Sequence, residues 1–191
     1  DVLVIGGGVA GLSAAIAAGA SREVLVLLKG QRRDTATNWA QGGMAVVGSP
    51  DDTTAAHAAD TGRVAAGLGH DEIVSNVVGS GPDLLERWLS WGARFDKDED
   101  QLALAMEGGH TKHRIVYAGD QTGAEIQRFL IAKAASMPSI GVMESTFVLD
   151  LITEGNRVRG AIAWSPSQGY FCVWARSTIL STGGVGQLYR E

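Results

Sequence analysis

The chain has 191 residues, of which 45 % are hydrophobic and 19 % charged, enough apolar material for one globular domain with a buried core. Its net charge of −5 disfavours nucleic-acid and anionic-membrane partners, and no apolar run reaches the roughly 18 residues of a membrane span. The single cysteine, Cys172, excludes an internal disulfide and indicates a reducing compartment, so we expect a cytoplasmic protein.

The first part of the chain alternates strand and helix patterns. Residues 1–5 and 23–28 are continuous apolar runs, typical of buried parallel strands, and a helix rich in small residues is predicted at 9–18. Residues 30–50 are predicted to form a loop. Helical spacing of apolar residues then predicts helices at 53–66, 71–79, 83–92 and 120–135.

After residue 139 the pattern changes to strand-like apolar runs separated by turn signals. These runs are 141–152, 157–164 and 171–180, and Cys172 is expected to be a buried apolar residue in the last of them. We therefore predict an α/β fold with a parallel sheet, a helical insertion and a small antiparallel β-meander. We interpret 1–191 as one domain, and because it starts inside a strand and lacks a closing element, we expect a segment of a longer protein.

The glycines that follow the first strand carry the clearest chemical signal. Gly6, Gly8 and Gly11 have the G-x-G-x-x-G spacing between a strand and a helix, which permits a tight turn, close backbone approach to a pyrophosphate, and close helix packing. The N-terminus of the helix then offers N–H groups and a partial positive charge to phosphates. The pattern predicts dinucleotide binding, with a glycine-rich packing turn as the alternative.

The acidic residue that commonly binds the ribose at the end of the second strand is absent. Leu28 stands there, followed by Lys29. We expect Lys29 to donate to a ribose hydroxyl or a phosphate; the alternative is a solvated loop charge. The missing acid disfavours a simple NAD-binding module.

Two further blocks place glycines where backbone can approach a flat ligand. The segment 35–47 contains Gln41, Gly42 and Gly43, and the strand 177–180 runs into Thr182, Gly183 and Gly184. Both blocks are predicted to contact the ligand of the glycine-rich turn.

Four blocks in this order, GGGVAGL, TATNWAQGG, EGGHTKHRIVYAGDQTG and LSTGGVGQLY, resemble the flavoprotein subunits of the succinate dehydrogenase, fumarate reductase and L-aspartate oxidase family. The resemblance covers essentially the whole chain and implies FAD bound in a Rossmann-like domain. It also implies cofactor contacts at Gly6, Gly7, Gly8, Val9, Ala10, Gly11, Lys29, Ala36, Thr37, Asn38, Trp39, Ala40, Gln41, Gly42, Gly43, Val148, Thr182, Gly183 and Gly184.

Two positions favour the L-aspartate oxidase branch of this family. Where the succinate and fumarate enzymes usually carry the flavin covalently on a histidine, this chain has Ala36, so we expect non-covalent FAD. Glu107 stands where an aromatic residue is usual, and we expect it to recognise the substrate's ammonium group; a surface glutamate beside a turn is the alternative. His110 is a weaker candidate for a position near substrate or flavin.

The resemblance implies oxidation of L-aspartate to iminoaspartate by hydride transfer to the flavin, which oxygen or fumarate then reoxidises. The product would feed quinolinate synthase, a possible partner, on the route to NAD. The family's substrate-binding Arg and His residues and its capping domain lie downstream, so we expect this chain alone to be inactive. The alternatives are a soluble succinate or fumarate oxidoreductase and a non-catalytic FAD-binding fragment. A metal site at His110 and His113 is disfavoured, because Gly108 and Gly109 precede them and argue against a helix.

Overall fold

The structure is a computed structural model that describes residues 1–186. The end of the last predicted block, residues 187–189, lies outside the described residues. The helices in that range are α1 Val9–Gly19, α2 Ala36–Trp39, α3 Thr54–Ala65, α4 Asp71–Gly79, α5 Gly81–Ser90 and α6 Thr122–Ala135. The strands there are β1 Val2–Ile5, β2 Val24–Leu27, β3 Met44–Ala45, β4 Lys97–Asp98, β5 Gln101–Leu102, β6 Leu104–Ala105, β7 Ile115–Val116, β8 Ile140–Met143, β9 Phe147–Glu154, β10 Arg157–Ser165, β11 Gly169–Trp174 and β12 Ser177–Leu180.

The chain forms two compact units. One, here called the sheet unit, contains residues 1–39 and the described residues from 126 onward, and the other, the inserted unit, contains residues 40–125. The predicted α/β class is confirmed, with a parallel sheet, an insertion rich in helix and an antiparallel meander. No helix within residues 1–186 is long and apolar enough to cross a membrane.

The core of the sheet unit is a parallel sheet whose described strands have the order β12-β1-β2-β8. Val2 pairs with Ser177 on one side and with Val24 on the other, and Val24 also pairs with Ile140. Leu3, Val4 and Val26 are fully buried, as expected for strands covered on both faces. The carboxyl ends of these four strands therefore lie at one edge of the sheet.

The antiparallel meander has the order β11-β10-β9 and covers part of the parallel sheet. Ala161 and Ala163 of β10 are fully buried against Leu3, Ile5 and Leu27. Small residues on this face of β10 allow the two sheets to pack closely.

Two of the apolar runs predicted as single strands are divided between the two sheets. The run 141–152 supplies β8 to the parallel sheet and then, after Ser145 at φ 50°, β9 to the meander. The run 171–180 likewise ends β11 at Trp174 and begins β12 at Ser177. These changes of sheet occur within a few residues and without Gly or Pro, so the sequence prediction missed them. The predicted loop 30–50 also contains α2 and β3.

Cys172 is exposed, and the expectation of a buried cysteine was wrong. Side chains alternate between the two faces of β11, and Phe171 and Val173 pack against the core, which leaves Cys172 on the other face. The apolar character of the run did not reveal which alternate set faces the core.

The inserted unit contains α3, α4 and α5 and two small antiparallel sheets, β3-β7-β6 and β4-β5. Thr53 caps α3 by accepting a hydrogen bond from the Ala56 N–H at 3.1 Å, and α3 ends at Ala66 in the left-handed region. Leu85 and Trp88 bury one face of α5. Ile115 and Val116 of β7 are buried, and they directly follow Arg114, a fully buried arginine.

Candidate functional site

The glycine-rich turn lies at the carboxyl edge of the parallel sheet. Gly6 follows β1 with φ 110°, and a Cβ there would overlap the carbonyl oxygen of Ser181. A Cβ on Gly11 would overlap the carbonyl oxygen of Gly6. Both positions therefore require glycine, for the turn and for the close packing of α1 on it.

The N-terminus of α1 has the geometry of an anion-binding end. Gly8 is the N-cap residue of α1 and has an extended backbone, with φ −74° and ψ −173°. As a glycine it has no side chain with which to cap the helix, and the first turn of α1 contains no acidic residue. The Val9 N–H donates to Thr37 Oγ1 at 2.9 Å, which ties the helix start to the predicted flavin segment. First-turn N–H groups lack intrahelical acceptors, so this end can receive phosphate oxygens.

The neighbouring strand ends place Lys29 and Thr182–Gly184 at the same edge. Lys29 follows β2 and is exposed, whereas Leu28 is buried against Gly7, so the exposed polar group at this strand end is Lys29. Lys29 lines a cleft of about 380 Å³, whose other lining residues are Ser145, Phe147, Leu149, Trp164, Pro166 and Tyr170. Val148 lies in β9 opposite Ala163, with its side chain against the core, which leaves its backbone as the group available to a ligand.

Gln127 is a residue of this region that sequence reasoning missed. It is fully buried on α6, and its Nε2 donates to the Gly7 carbonyl at 2.8 Å and to the Arg32 carbonyl at 2.7 Å. Its Oε1 accepts from Thr35 Oγ1 at 3.2 Å. One side chain thus holds together the glycine turn, the segment after β2 and the start of α2. An amide directly after Ile126, in a helix with an apolar stripe, was the available signal.

The predicted flavin segment 36–43 crosses the boundary between the units. Its first part is α2, where Ala36 and Trp39 are exposed, and its second part, 40–43, opens the inserted unit. A Cβ on Gly43 would overlap Ile115, whereas a Cβ on Gly42 would meet no described atom within 4 Å. Gly42 therefore leaves room for a close neighbour.

Glu107 and His110 lie on one turn of the inserted unit. The His110 N–H donates to the Glu107 carbonyl at 3.2 Å, and Gly109 has φ 90°. The side chain of Glu107 is exposed, while His110 is half-buried. The structure brings these two predicted substrate residues together.

His110 belongs to a network of mostly buried side chains that we call the Arg114 cluster. Its members are Asp52, His57, Asp60, His110, Thr111 and Arg114. Arg114 is fully buried and donates from Nε and Nη2 to the two oxygens of Asp52, both at 2.8 Å, and from Nη1 to Asp60 Oδ2 at 2.7 Å. Thr111 donates to Asp60 Oδ2 from its N–H and its hydroxyl, both at 2.8 Å.

These contacts shift the pKa values of Asp60 and Arg114. Hydrogen bonds from the Thr111 N–H and hydroxyl, and then from Arg114 and Arg63, hold the pKa of Asp60 well below its ordinary value. Burial opposes the charge of Arg114, but its hydrogen bonds to Asp52 and Asp60 outweigh burial and raise its pKa. The cluster therefore holds fixed charges at neutral pH.

His57 lies beside His110 in the cluster. Burial, followed by the charge of Arg114, lowers the pKa of His57. Its ring centroid lies 5.7 Å from that of His110, and its Nδ1 has no hydrogen-bond partner among residues 1–186. In the same described range, no group of three or more His, Cys, Asp or Glu side chains is arranged to hold a metal ion.

The sequence matches the FAD binding domain family over residues 1–191. It is 44 % identical over 196 residues to the L-aspartate oxidase of Mycobacterium leprae (strain TN), covering 99 % of this chain and 36 % of that protein. It is 36 % identical over 190 residues to the L-aspartate oxidase of Neisseria meningitidis serogroup B, covering 99 % of this chain and 38 % of that protein. The chain thus spans little more than a third of these relatives.

Solved structures match over nearly the whole chain. A mutant of the E. coli quinol fumarate reductase FrdA has a TM-score of 0.94 at 27 % identity, covering 100 % of this chain and 33 % of that one. Mycobacterium smegmatis Sdh1 in complex with UQ1 has a TM-score of 0.90 at 29 % identity, covering 98 % of this chain and 34 % of that one. These matches confirm the predicted resemblance and the prediction of FAD as the cofactor.

Proposed function

We propose that this chain, which belongs to the FAD binding domain family, is the FAD-binding part of an enzyme that oxidises L-aspartate to iminoaspartate. The observation that carries the FAD site is the open N-terminus of α1 above the glycine-rich turn, with Lys29 and Thr182–Gly184 at the same sheet edge. Bound FAD supplies the hydride acceptor for the oxidation. The L-aspartate oxidases to which the chain is similar support this substrate.

We assign the pyrophosphate to the backbone of residues 7–11, where the Val9 N–H already donates to Thr37 Oγ1, and the ribose or a phosphate to Lys29. Backbone groups of Val148 and of Thr182–Gly184 complete the dinucleotide contacts of the sheet unit. The segment 36–43 contributes the contacts to the flavin ring, through backbone N–H groups, the hydroxyl of Thr37 and the amide of Gln41. Gly42 supports this assignment because it leaves space against the backbone.

The FAD in this proposal is bound non-covalently, because Ala36 stands where related enzymes carry the flavin on a histidine. The test is to add FAD to the purified chain, remove free FAD, precipitate with acid, and record the flavin absorption, at about 450 nm, of both fractions. We expect the chromophore in the supernatant. Colour in the precipitate would contradict non-covalent binding, and absence of bound FAD would contradict the site itself.

The proposed selectivity for an amino acid rests on Glu107. L-Aspartate is succinate with an added ammonium group, and an exposed carboxylate on the Glu107–His110 turn provides an acceptor for it. In the natural protein that contains this chain, Glu107→Gln should raise the KM for L-aspartate by ten-fold or more, about 1.4 kcal/mol, and change the KM for succinate little. Equal effects on both substrates would show that Glu107 does not recognise the amine.

The cellular context we propose is the cytoplasm, with iminoaspartate passed to quinolinate synthase for NAD synthesis and FAD reoxidised by oxygen or fumarate. A soluble succinate or fumarate oxidoreductase is the competing activity, supported by the FrdA and Sdh1 structures. In the natural protein that contains this chain, anaerobic bleaching of the bound flavin by L-aspartate but not by succinate would support the first activity, and the reverse order would support the second.

A further inference from the structure

The two histidines of the sequence His110-Thr-Lys-His113 meet opposite hydrogen-bond partners. His110 Nδ1 lies 3.3 Å from Arg114 Nη1, and His113 Nδ1 lies 3.2 Å from the carbonyl oxygen of Leu104. A guanidinium can only donate, whereas a carbonyl can only accept. The same ring atom must therefore be an acceptor in His110 and a donor in His113.

We propose that Arg114 is a positioning residue that fixes His110 as the neutral tautomer with its proton on Nε2. His110 lies on the turn of Glu107, which the proposed function assigns to substrate. Resting on that assignment, the ring offers substrate a hydrogen-bond donor at Nε2 and has no free lone pair with which to act as a general base. Carboxylate oxygens accept hydrogen bonds only, so such a donor suits a carboxylate group of a dicarboxylate substrate.

Arg114 has little freedom to change this contact. Three of its N–H groups are committed to Asp52 and Asp60 at 2.7 to 2.8 Å, and its side chain is fully buried. Nη1 carries two hydrogens, and with one donated to Asp60 the other remains for His110. The two carboxylates thus hold the guanidinium in the orientation that presents a donor to the imidazole.

The ring of His110 is bordered by a second histidine and by the Arg114 cation. His57, whose pKa is lowered by burial and by the charge of Arg114, packs on one side of His110 as an uncharged ring. The contact with Nδ1 comes from a cation, and proton uptake at that nitrogen would place two donors against each other.

His113 provides an internal control on the same chain. Its Nδ1 must carry a proton to bond the Leu104 carbonyl, which makes the neutral ring the Nδ1–H tautomer. The experiment is a two-bond ¹H–¹⁵N correlation spectrum of the chain labelled with ¹⁵N-histidine, at about pH 8, above the range in which unperturbed histidine titrates. His110→Gln and His113→Gln assign the two rings.

We expect His110 to show an unprotonated Nδ1 and a protonated Nε2, and His113 to show the reverse. A protonated Nδ1 on His110, or shifts averaged between both tautomers, would overturn the proposal. Arg114→Lys keeps a donor-only cation and should preserve the His110 pattern, whereas a folded Arg114→Met should give averaged shifts. An unchanged pattern in folded Arg114→Met would show that Arg114 is not the cause; if that variant does not fold, the wild-type spectrum decides.

The measurement needs neither FAD nor substrate, so its outcome is separate from that of the proposed function. Failure of the chain to bind FAD would leave the tautomer assignment standing. Conversely, the wrong tautomer in a chain that binds FAD would remove only the role of Arg114.

Discussion

The glycine-rich turn of the sheet unit and the Arg114 cluster of the inserted unit are built on opposite principles. The turn consists of backbone, with Gly6 and Gly11 required because any Cβ would overlap a neighbouring carbonyl. The cluster consists of side chains, centred on three charges, that come from α3, from the residues before it and from the segment before β7. Adding a Cβ at Gly6 or Gly11 should therefore disrupt the turn, whereas removing a charge should disrupt the cluster.

The largest effect should come from removing the cation of the cluster. Arg114→Met leaves Asp52 buried without its cation and leaves Asp60 with Arg63 as its cationic partner, and we expect a loss of about 3 to 5 kcal/mol in the free energy of unfolding. The matched control is Lys112→Met, which removes an exposed ion pair with Asp51 at 3.1 Å and should cost about 0 to 1 kcal/mol. Urea unfolding measures both, and similar losses would show that burial does not distinguish the two pairs.

The corresponding test of the turn adds one methyl group. Gly11→Ala places a Cβ against the Gly6 carbonyl oxygen, and we expect a loss of about 3 kcal/mol, the upper end for overpacking, together with loss of FAD binding. Gly62→Ala, also in a helix but with no described atom within 4 Å of the new Cβ, should instead raise stability by up to about 1 kcal/mol. If both variants unfold at wild-type urea concentrations, close packing does not require glycine at position 11.

A smaller loss of stability is expected at Gln127, whose side chain donates hydrogen bonds to two backbone carbonyls. Gln127→Met keeps the volume but leaves the carbonyls of Gly7 and Arg32 without this donor, so stability should fall by about 2 kcal/mol and FAD affinity should fall with it. Ser136→Ala, which removes an exposed bond to the Lys133 carbonyl beyond the end of the same helix, should cost less than about 0.5 kcal/mol. Unchanged FAD affinity in Gln127→Met would show that the hydrogen bonds of Gln127 do not shape the glycine-rich turn for FAD.

The same contrast explains what the sequence could predict. The turn is local, since its glycines lie within six residues of one another between a strand and a helix, and Lys29 follows from the end of the next strand. Arg114 and Asp52 are 62 residues apart, and each taken alone resembles an ordinary solvated charge. One signal was readable: His57 and Asp60 are three apart and share a face of α3.

The fold was predictable to the extent that apolar runs marked its strands. Parallel strands β1 and β2 were recognised because burial on both faces makes them continuously apolar. The changes of sheet after Met143 and after Trp174 were missed, because a chain can change partners without a glycine or proline. Strand pairing is a long-range property, and the local composition of a run does not determine it.

The last prediction concerns acid, which should affect the cluster and not the turn. The pKa of Asp60 is lower in the folded chain than in the unfolded chain, so its contribution to stability is complete above the unfolded value of about 3.9 and is lost as pH falls below it. The urea midpoint should therefore decline below about pH 4, and Asp60→Asn should reduce that slope more than Asp51→Asn, whose carboxylate is exposed. Hydrogen exchange should show the loss first in the inserted unit, around Val46 and Ile115, because the glycine turn has no carboxylate whose protonation would weaken it. Equal acid sensitivity of both units would mean that the Arg114 cluster is not the acid-labile element.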